Sequence, residues 1–321
     1  MTSTGAARQV LKDLYGIDAE LTKLYGEFDD NYLAVAANGE KRILKIMRVG
    51  CDAQRVDIQC QAMAYLQETA GGLNLPSVIP TSADQLYTSA EVDGTDRIMW
   101  LLRYCEGELL EQVNPQSDDL LQSFGRTLAL VDVGLSLFEH PAMRPGHEWE
   151  LTRAGAARRY SQHVAAESRG LVDETLARFE SETVMRLGDL RHSVIHNDAN
   201  DGNVLVNVGA DGKAVVDGLI DFGDISYQPM VCDAAIALSY VVLNKDDPVS
   251  ACASFLKGYN DVNALSADEI AVLQDLTMAR LAVSISISAG RRSKDPDDPV
   301  GSQDKQRAMR ALAQLARLRI A

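Results

Sequence analysis

The sequence predicts an α+β chain in two parts, a small antiparallel sheet followed by a larger helical region. Three observations carry this. Short aliphatic and β-branched runs separated by turn signals fill the positions up to Tyr104. From Ser117 onward, apolar residues recur at the spacings of helices buried along one side. One stretch breaks that helical pattern, VIHNDANDGNVLVNVGADGKAVVDGLIDFG from Val194 to Gly223. In it the apolar runs Val204–Val208 and Ala214–Ile220 flank the turn signal Gly209-Ala210-Asp211-Gly212-Lys213, so they read as a hairpin.

In order along the chain, Ala6–Leu14 reads as a leading helix docked on the first sheet. Leu21–Leu24, Asn31–Ala36 and Arg42–Met47 read as strands, with Ala37-Asn38-Gly39-Glu40 turning between the second and third. Cys51–Gln67 carries Val56, Ile58, Met63 and Leu66 at helical spacing. Thr81–Ser89 and Arg97–Tyr104 read as the last strands of the first part. The polar, glycine-bearing Cys105-Glu106-Gly107-Glu108 then divides the chain into domains of residues 1–103 and 104–321. Beyond it, Leu120–Phe138 and Leu171–Leu187 read as helices, and the proline- and glycine-bearing Pro141–Glu150 as a loop. The cations around Arg153, Arg158 and Arg159 read as a solvated helix face. Val231–Leu243 and Leu265–Ser288 are apolar enough for buried helices. Arg291–Asp304 reads as a mobile surface loop, and Lys305–Ile320 as a final amphipathic helix.

The hairpin matters because of what flanks it. Asp198 stands five residues before Asn203, and Asp221 opens an Asp-Phe-Gly triplet eighteen residues further on. This is the H-R-D-x-x-x-x-N and D-F-G pattern of the protein kinases, with Asn197 where they carry arginine. A nucleotide's terminal phosphates need a divalent cation, and magnesium takes oxygen ligands. Asn203 can give a carbonyl oxygen and Asp221 a carboxylate, leaving Asp198 to accept a hydroxyl proton. A hairpin between them would set Asn203 and Asp221 side by side. The fold expected is therefore a protein-kinase-like two-lobed one, with ATP or GTP and Mg2+ between an antiparallel sheet lobe and a mostly helical lobe.

Other residues fit that scheme. Lys45 lies in Arg42-Ile43-Leu44-Lys45-Ile46, one strand after a loop, where the kinase fold places its phosphate-pairing lysine. By strand alternation it otherwise faces solvent, and Lys41, Arg42 and Arg48 are the neighbouring alternatives. The loop before it, Tyr25 to Asn31, carries one glycine, so its phosphate cradle must be built from backbone amides with less freedom. Arg103 to Cys105 is the expected hinge, its backbone meeting the nucleotide base. Arg103 and Tyr104 join Lys45, Asp30 and Asn31 as candidate nucleotide-binding residues.

HNDANDGN followed by IDFGD resembles the aminoglycoside phosphotransferase family of small-molecule kinases, and within it the hydroxylysine kinase group. FDDNYLAV, RILKI, the Trp-Glu-Leu at Trp149 and DAAIALSY carry the resemblance over most of the chain. It implies a catalytic role for Asp198, a position near the acceptor for Trp149, and an anchoring role under the catalytic loop for Asp233. Packing against the helical core is the alternative for Trp149. Asp29-Asp30-Asn31 resembles the group's Asp-Asp-x-Asn without the intervening residue, and Gln59 stands where the family has glutamate. The resemblance further implies 5-hydroxy-L-lysine as acceptor, with aminoglycoside, choline, ethanolamine or homoserine as alternatives. A nucleotide-binding pseudokinase is the alternative outside catalysis, and retention of Asp198 argues against it. The absence of an Ala-Pro-Glu after Asp221 argues against peptide substrates.

Composition narrows the partners. Against 46 acidic residues stand 31 basic ones, a net charge of −15 that repels nucleic acid and anionic membrane, and that either serves solubility alone or weakly favours a cationic acceptor. The five cysteines are scattered without a C-x-x-C, which suits a reducing compartment. No apolar h-region opens the chain and no uninterrupted apolar run reaches ~18 residues, so a cytoplasmic enzyme is expected.

Overall fold

The computed structural model describes residues 2–26, 28–143, 149–295, 305–318 and 320. Contacts group the chain into two compact units, Met1–Glu106 with His140–Ala142, and Gly107–Glu139 with Met143–Ala321. The boundary falls after Glu106, whose backbone carbonyl accepts from Asn74 Nδ2 at 2.7 Å and whose carboxylate pairs with Lys41 at 3.0 Å.

The first unit opens with α1 (Thr4–Tyr15), capped by Ser3 at its start and by left-handed Gly16 at its end. Then follow β1 (Ala19–Leu24), β2 (Asp30–Ala36), β3 (Lys41–Ile46), α2 (Ala53–Thr69), β4 (Val78–Ile79), β5 (Thr88–Val92) and β6 (Thr95–Arg103). The strands form one antiparallel sheet in the order β1-β2-β3-β6-β4, with β5 also paired to β6. Period-two alternation puts Tyr32, Ala34, Leu44, Ile46, Met99 and Leu101 on one face, where Ala7, Val10 and Leu11 of α1 cover them. The strand expected over Thr81–Ser89 lies later, at β5. Asp93-Gly94 sets it, with φ of 48° and 76°, making the two-residue turn that closes β5 onto β6.

The second unit holds β7 (Glu108–Leu109), α3 (Asp118–Leu135), α4 (Ala166–Arg178), α5 (Val184–Leu187), β8 (His192–Ile195), β9 (Val204–Val208), β10 (Ala214–Leu219) and β11 (Ser226–Pro229). It closes with α6 (Val231–Val241), α7 (Pro248–Asn260), α8 (Ala267–Lys294) and α9 (Lys305–Leu315). The helix expected over Leu171–Leu187 is divided, α4 passing through a π-helical turn at Phe179–Thr183 into α5. Leu151–His163, with its three arginines, is a run of 3-10 turns. Arg158 there pairs with Glu180 at 2.9 Å and Arg159 lies over Tyr160. Of the loop expected at Pro141–Glu150, residues 144–148 lie outside the described residues.

Helices α3 and α7 cross at two glycines. A methyl on Gly125 would stand 2.0 Å from the Phe255 carbonyl, and one on Gly258 1.8 Å from that of Gln122. The close approach lets Phe124 meet Phe255 edge to face at 5.1 Å.

The longest helix, α8, starts with a reciprocal capping box between Ser266 and Glu269. It runs through Arg291–Lys294, so the loop expected from Arg291 begins later, and residues 296–304 lie outside the described residues. It is also the one described helix long and apolar enough to cross a membrane, but 72% of its apolar window is buried inside the protein, as suits a core helix.

Candidate active site

The hairpin β9–β10 is held from below by α3. Its register shifts between Val216, opposite Val206, and Gly218, opposite Leu205, a bulge that leaves Asp217 as the extra residue. Strand β10 is the outer strand of its sheet, and on its open edge Ser123 Oγ accepts from Val216 N at 2.9 Å and Thr127 Oγ1 donates to Val216 O at 2.8 Å, so both groups are satisfied. At the open end, Ile220 N donates to Asn203 O at 2.9 Å. Asn203 therefore stands across from the residue before Asp221, as the turn signal predicted.

The loop carrying Asp198 is fixed from beneath. Asp233, in the first turn of α6 and 0% exposed, accepts the amides of His196 at 3.0 Å and Asn197 at 2.9 Å. His196 donates through Nε2 to Ile220 O at 3.1 Å and accepts the Asp198 amide on Nδ1 at 3.3 Å. Its ring meets Phe222 edge-on at 4.7 Å. It is thus a brace between the two halves of the motif.

Asn197 accounts for the missing arginine. Its φ is 66°, a left-handed conformation that asparagine tolerates better than most residues. Its buried amide donates to Asp224 O at 3.1 Å and accepts from Gln228 Nε2 at 2.7 Å, tying the Asp198 loop to the segment after Asp-Phe-Gly.

Asp198 itself is gripped on both oxygens. Oδ2 accepts from Asn200 Nδ2 and Asn203 Nδ2, each at 2.9 Å, and Oδ1 accepts from Arg280 at 3.1 Å. A carboxylate only accepts here, so both asparagines must turn their nitrogens to it. Asn203 is left with its oxygen facing away, as a cation ligand requires. Two donors reach Oδ2 and one reaches Oδ1, so Oδ1 keeps the more room for a further donor.

Burial pushes the Asp198 carboxyl up to about 7, against the pull of Arg280. A base with a pKa near working pH is well matched to proton transfer. Asp221 is also left-handed, with φ of 61°, and accepts the Gly223 amide at 3.3 Å. Among the described residues no three His, Cys, Asp or Glu side chains cluster as a metal site. One carboxylate and one amide oxygen suit magnesium all the same, since it keeps water and phosphate oxygens for its remaining positions.

Arg280 was not legible as a site residue. It is 3% exposed on α8, donates to Trp149 O at 3.2 Å, and lies 4.9 Å from the centre of the Trp149 ring. Tyr240 of α6 hydrogen-bonds it as well. The signal available was a lone arginine inside the apolar run Leu265–Ser288, a residue type rarely buried without a partner.

In the first unit, Lys45 sits mid-strand on β3, between Asn31 of β2 and Trp100 of β6, with its ammonium 5.7 Å from the Trp100 ring centre. Gln59 is buried on α2 and donates to Arg55 O at 3.0 Å. Gly26 is required: a methyl there would stand 2.3 Å from Asp29 O and 2.8 Å from Asn31 Nδ2. Arg103 donates its guanidinium to Leu75 O and its backbone N–H to Ser77 O at 2.9 Å, and the Tyr104 ring lies 5.0 Å from the Lys41 ammonium.

Asp30 departs from its expected place in the phosphate loop. It opens β2 with its side chain inward, accepting from Thr2 N at 2.8 Å, Lys23 at 2.7 Å and Arg97 at 3.2 Å. Burial raises its pKa, but the hydrogen bonds from Lys23 and Thr2 outweigh it and hold the carboxyl well below the usual range. A depressed folded-state pKa stabilises above the unfolded value, about 3.9, and this contribution is lost as pH falls through the folded one. The gap in urea midpoint between wild type and Asp30→Asn is therefore expected to be full at about pH 6 and to narrow below about pH 4. A gap independent of pH would mean the carboxylate's charge contributes nothing.

The model of the phosphotransferase enzyme family (APH) matches residues 20–269. The chain belongs to that family. It is a kinase, an enzyme that transfers phosphate to a hydroxyl of a small molecule, built on the protein-kinase-like fold. Hydroxylysine kinase of Danio rerio is 26% identical over 302 residues, covering 90% of this chain and 84% of that one. An amicoumacin kinase in complex with AMP-PNP, Ca2+ and amicoumacin superposes with a TM-score of 0.71 at 17% identity, covering 98% of this chain and 94% of that one. A microcompartment-associated aminopropanol kinase does so with the same score and coverage at 18% identity.

Proposed function

We propose that this APH-family kinase transfers the γ-phosphate of ATP or GTP to a hydroxyl of an amino-alcohol metabolite, with 5-hydroxy-L-lysine as first candidate. The observation that carries the reading is Asp198, fixed on three side chains with the more room for a further donor left at Oδ1. The acceptor hydroxyl donates to Oδ1. Its proton passes there as the oxygen bonds the γ-phosphorus and the nucleoside diphosphate leaves. Asn203 and Asp221 would hold Mg2+, which neutralises phosphate charge when bound. Lys45 is assigned the α- and β-phosphates, amides of the loop ending at Asn31 the terminal phosphates, and the Arg103–Tyr104 backbone the base. The side chain of Asp30 is left out of this set.

Relatives named hydroxylysine kinases support the acceptor by their broad coverage, and the −15 charge suits a cationic amine. Fold neighbours named for other acceptors make the test a panel. Nucleoside diphosphate release is measured with ATP and with GTP, with and without magnesium, on hydroxylysine, ethanolamine, aminopropanol, choline, homoserine and one aminoglycoside. Magnesium-dependent turnover highest on hydroxylysine is expected. Preference for another acceptor would replace hydroxylysine within the same chemistry, and failure to bind nucleotide would overturn the reading.

A further inference from the structure

Two aspartates meet beneath the catalytic loop. Asp233 is 0% exposed and spends both oxygens on the His196 and Asn197 amides. Asp132 of α3, also 0% exposed, lies against the Asp233 carboxylate. Oδ2 of Asp132 accepts the Tyr259 hydroxyl at 2.6 Å, while its Oδ1 is buried with no donor.

Around the pair stand neutral groups. Tyr259 from α7 accepts Asn263 Nδ2 at 3.1 Å, and Asn263 Nδ2 also reaches the Met230 sulfur. Arg191 is the cation that acts on Asp132, and its guanidinium is committed to Glu269 through two contacts of 2.8 Å. Two ionised carboxylates sealed together without a paired cation would be strongly unfavourable, and such sites hold a proton between them.

The hydrogen bonds say which carboxyl keeps it. Both Asp233 oxygens already accept backbone amides, so Asp233 is the acceptor in this contact. Asp132 has one bond from a neutral hydroxyl and one oxygen left over, which is the pattern of a carboxylic acid whose O–H has not been drawn. We propose that Asp132 is a neutral acid in the folded protein, that it donates its proton to Asp233, and that this bond orients Asp233 to fix the amides preceding Asp198. Burial first, and then the neighbouring Asp233, hold the Asp132 carboxyl well above the usual carboxylate range. Asp132 is thus a positioning residue, acting on the base through Asp233 and two backbone amides. Its effect on turnover rests on Asp198 being the base; its protonation does not.

The test is infrared spectroscopy of the full chain near neutral pH, with Asp132 intact (wild type), Asp132→Asn and Asp132→Leu, the spectra taken in an Asp198→Asn background so that the carboxyl raised to about 7 adds no acid band, and turnover measured without that background on the acceptor found active. A protonated carboxylic acid shows a carbonyl stretch distinct from carboxylate bands and shifted in D2O. That band is expected in wild type and absent from Asp132→Asn. Asparagine can give an N–H to Asp233 and an oxygen to Tyr259, so its kcat should fall by about tenfold or less. Leucine can do neither, and a displaced base should cost about 10²-fold. Should leucine fail to fold, the band and the asparagine variant still decide. No acid band in wild type, or a band that survives in Asp132→Asn, overturns the protonation. An asparagine variant as impaired as 10²-fold, or a folded leucine variant as active as wild type, overturns the positioning role.

Discussion

Asp198→Asn is expected to lower kcat by about 10²–10⁴-fold, the usual contribution of a general base, while nucleotide affinity stays unchanged. The asparagine is isosteric but cannot take the proton. It also faces a conflict that the wild-type carboxylate avoids. Asn200 and Asn203 both donate to Oδ2, so the new amide must put its oxygen there. Its NH2 then faces the Arg280 guanidinium, donor against donor, at the position where the acceptor hydroxyl would dock. Loss should therefore fall on kcat, because the interaction is made to the reacting hydroxyl and not to the nucleotide. Nucleotide binding by calorimetry with magnesium, beside single-turnover phosphoryl transfer, separates the two. Transfer at the wild-type rate in this variant would remove Asp198 as the base.

The catalytic hairpin was legible because its determinants are local. Turn residues between two apolar runs decide the pairing, and pairing alone brings Asn203 next to Asp221. The same logic, applied to Asp93-Gly94, would have moved the fifth strand to its true place at Thr88–Val92. The extent of α8 was harder, because Arg291–Lys294 is polar and reads as loop. Cations in a last turn favour the helix C-terminus and let it continue. What sequence conceals is pairing across long separations. Arg280 lies 82 residues from Asp198, and Tyr259 lies 127 residues from Asp132. Each is a polar side chain in an apolar helix, visible as an anomaly but without an address until the helices pack. Asp30 is the converse, a polar residue beside a candidate phosphate loop that the sheet turns inward toward Arg97 and Lys23.

Arg280→Met is expected to harm both stability and turnover. Removing one partner of a buried pair leaves the other charge uncompensated, a change that costs about 3–5 kcal/mol. The lower end is expected, about 3 kcal/mol, because the Asp198 side chain keeps 24% exposure and can be partly rehydrated. The guanidinium also joins the base to Trp149, through its carbonyl at 3.2 Å and the ring it lies over. Methionine can fill the volume against the indole but leaves Asp198 Oδ1 without its guide. Lysine restores the charge with one point donor in place of a planar fork, so Arg280→Lys should recover part of the stability and less of the turnover. Urea midpoints of the three proteins, kcat and KM for nucleotide and acceptor, and rescue of Arg280→Met by added guanidinium distinguish positioning from bulk packing. A kcat restored by guanidinium at constant nucleotide KM marks Arg280 as the residue that orients the base. Were stability to fall while kcat held, the arginine would serve only to satisfy the charge that the fold buries beside it.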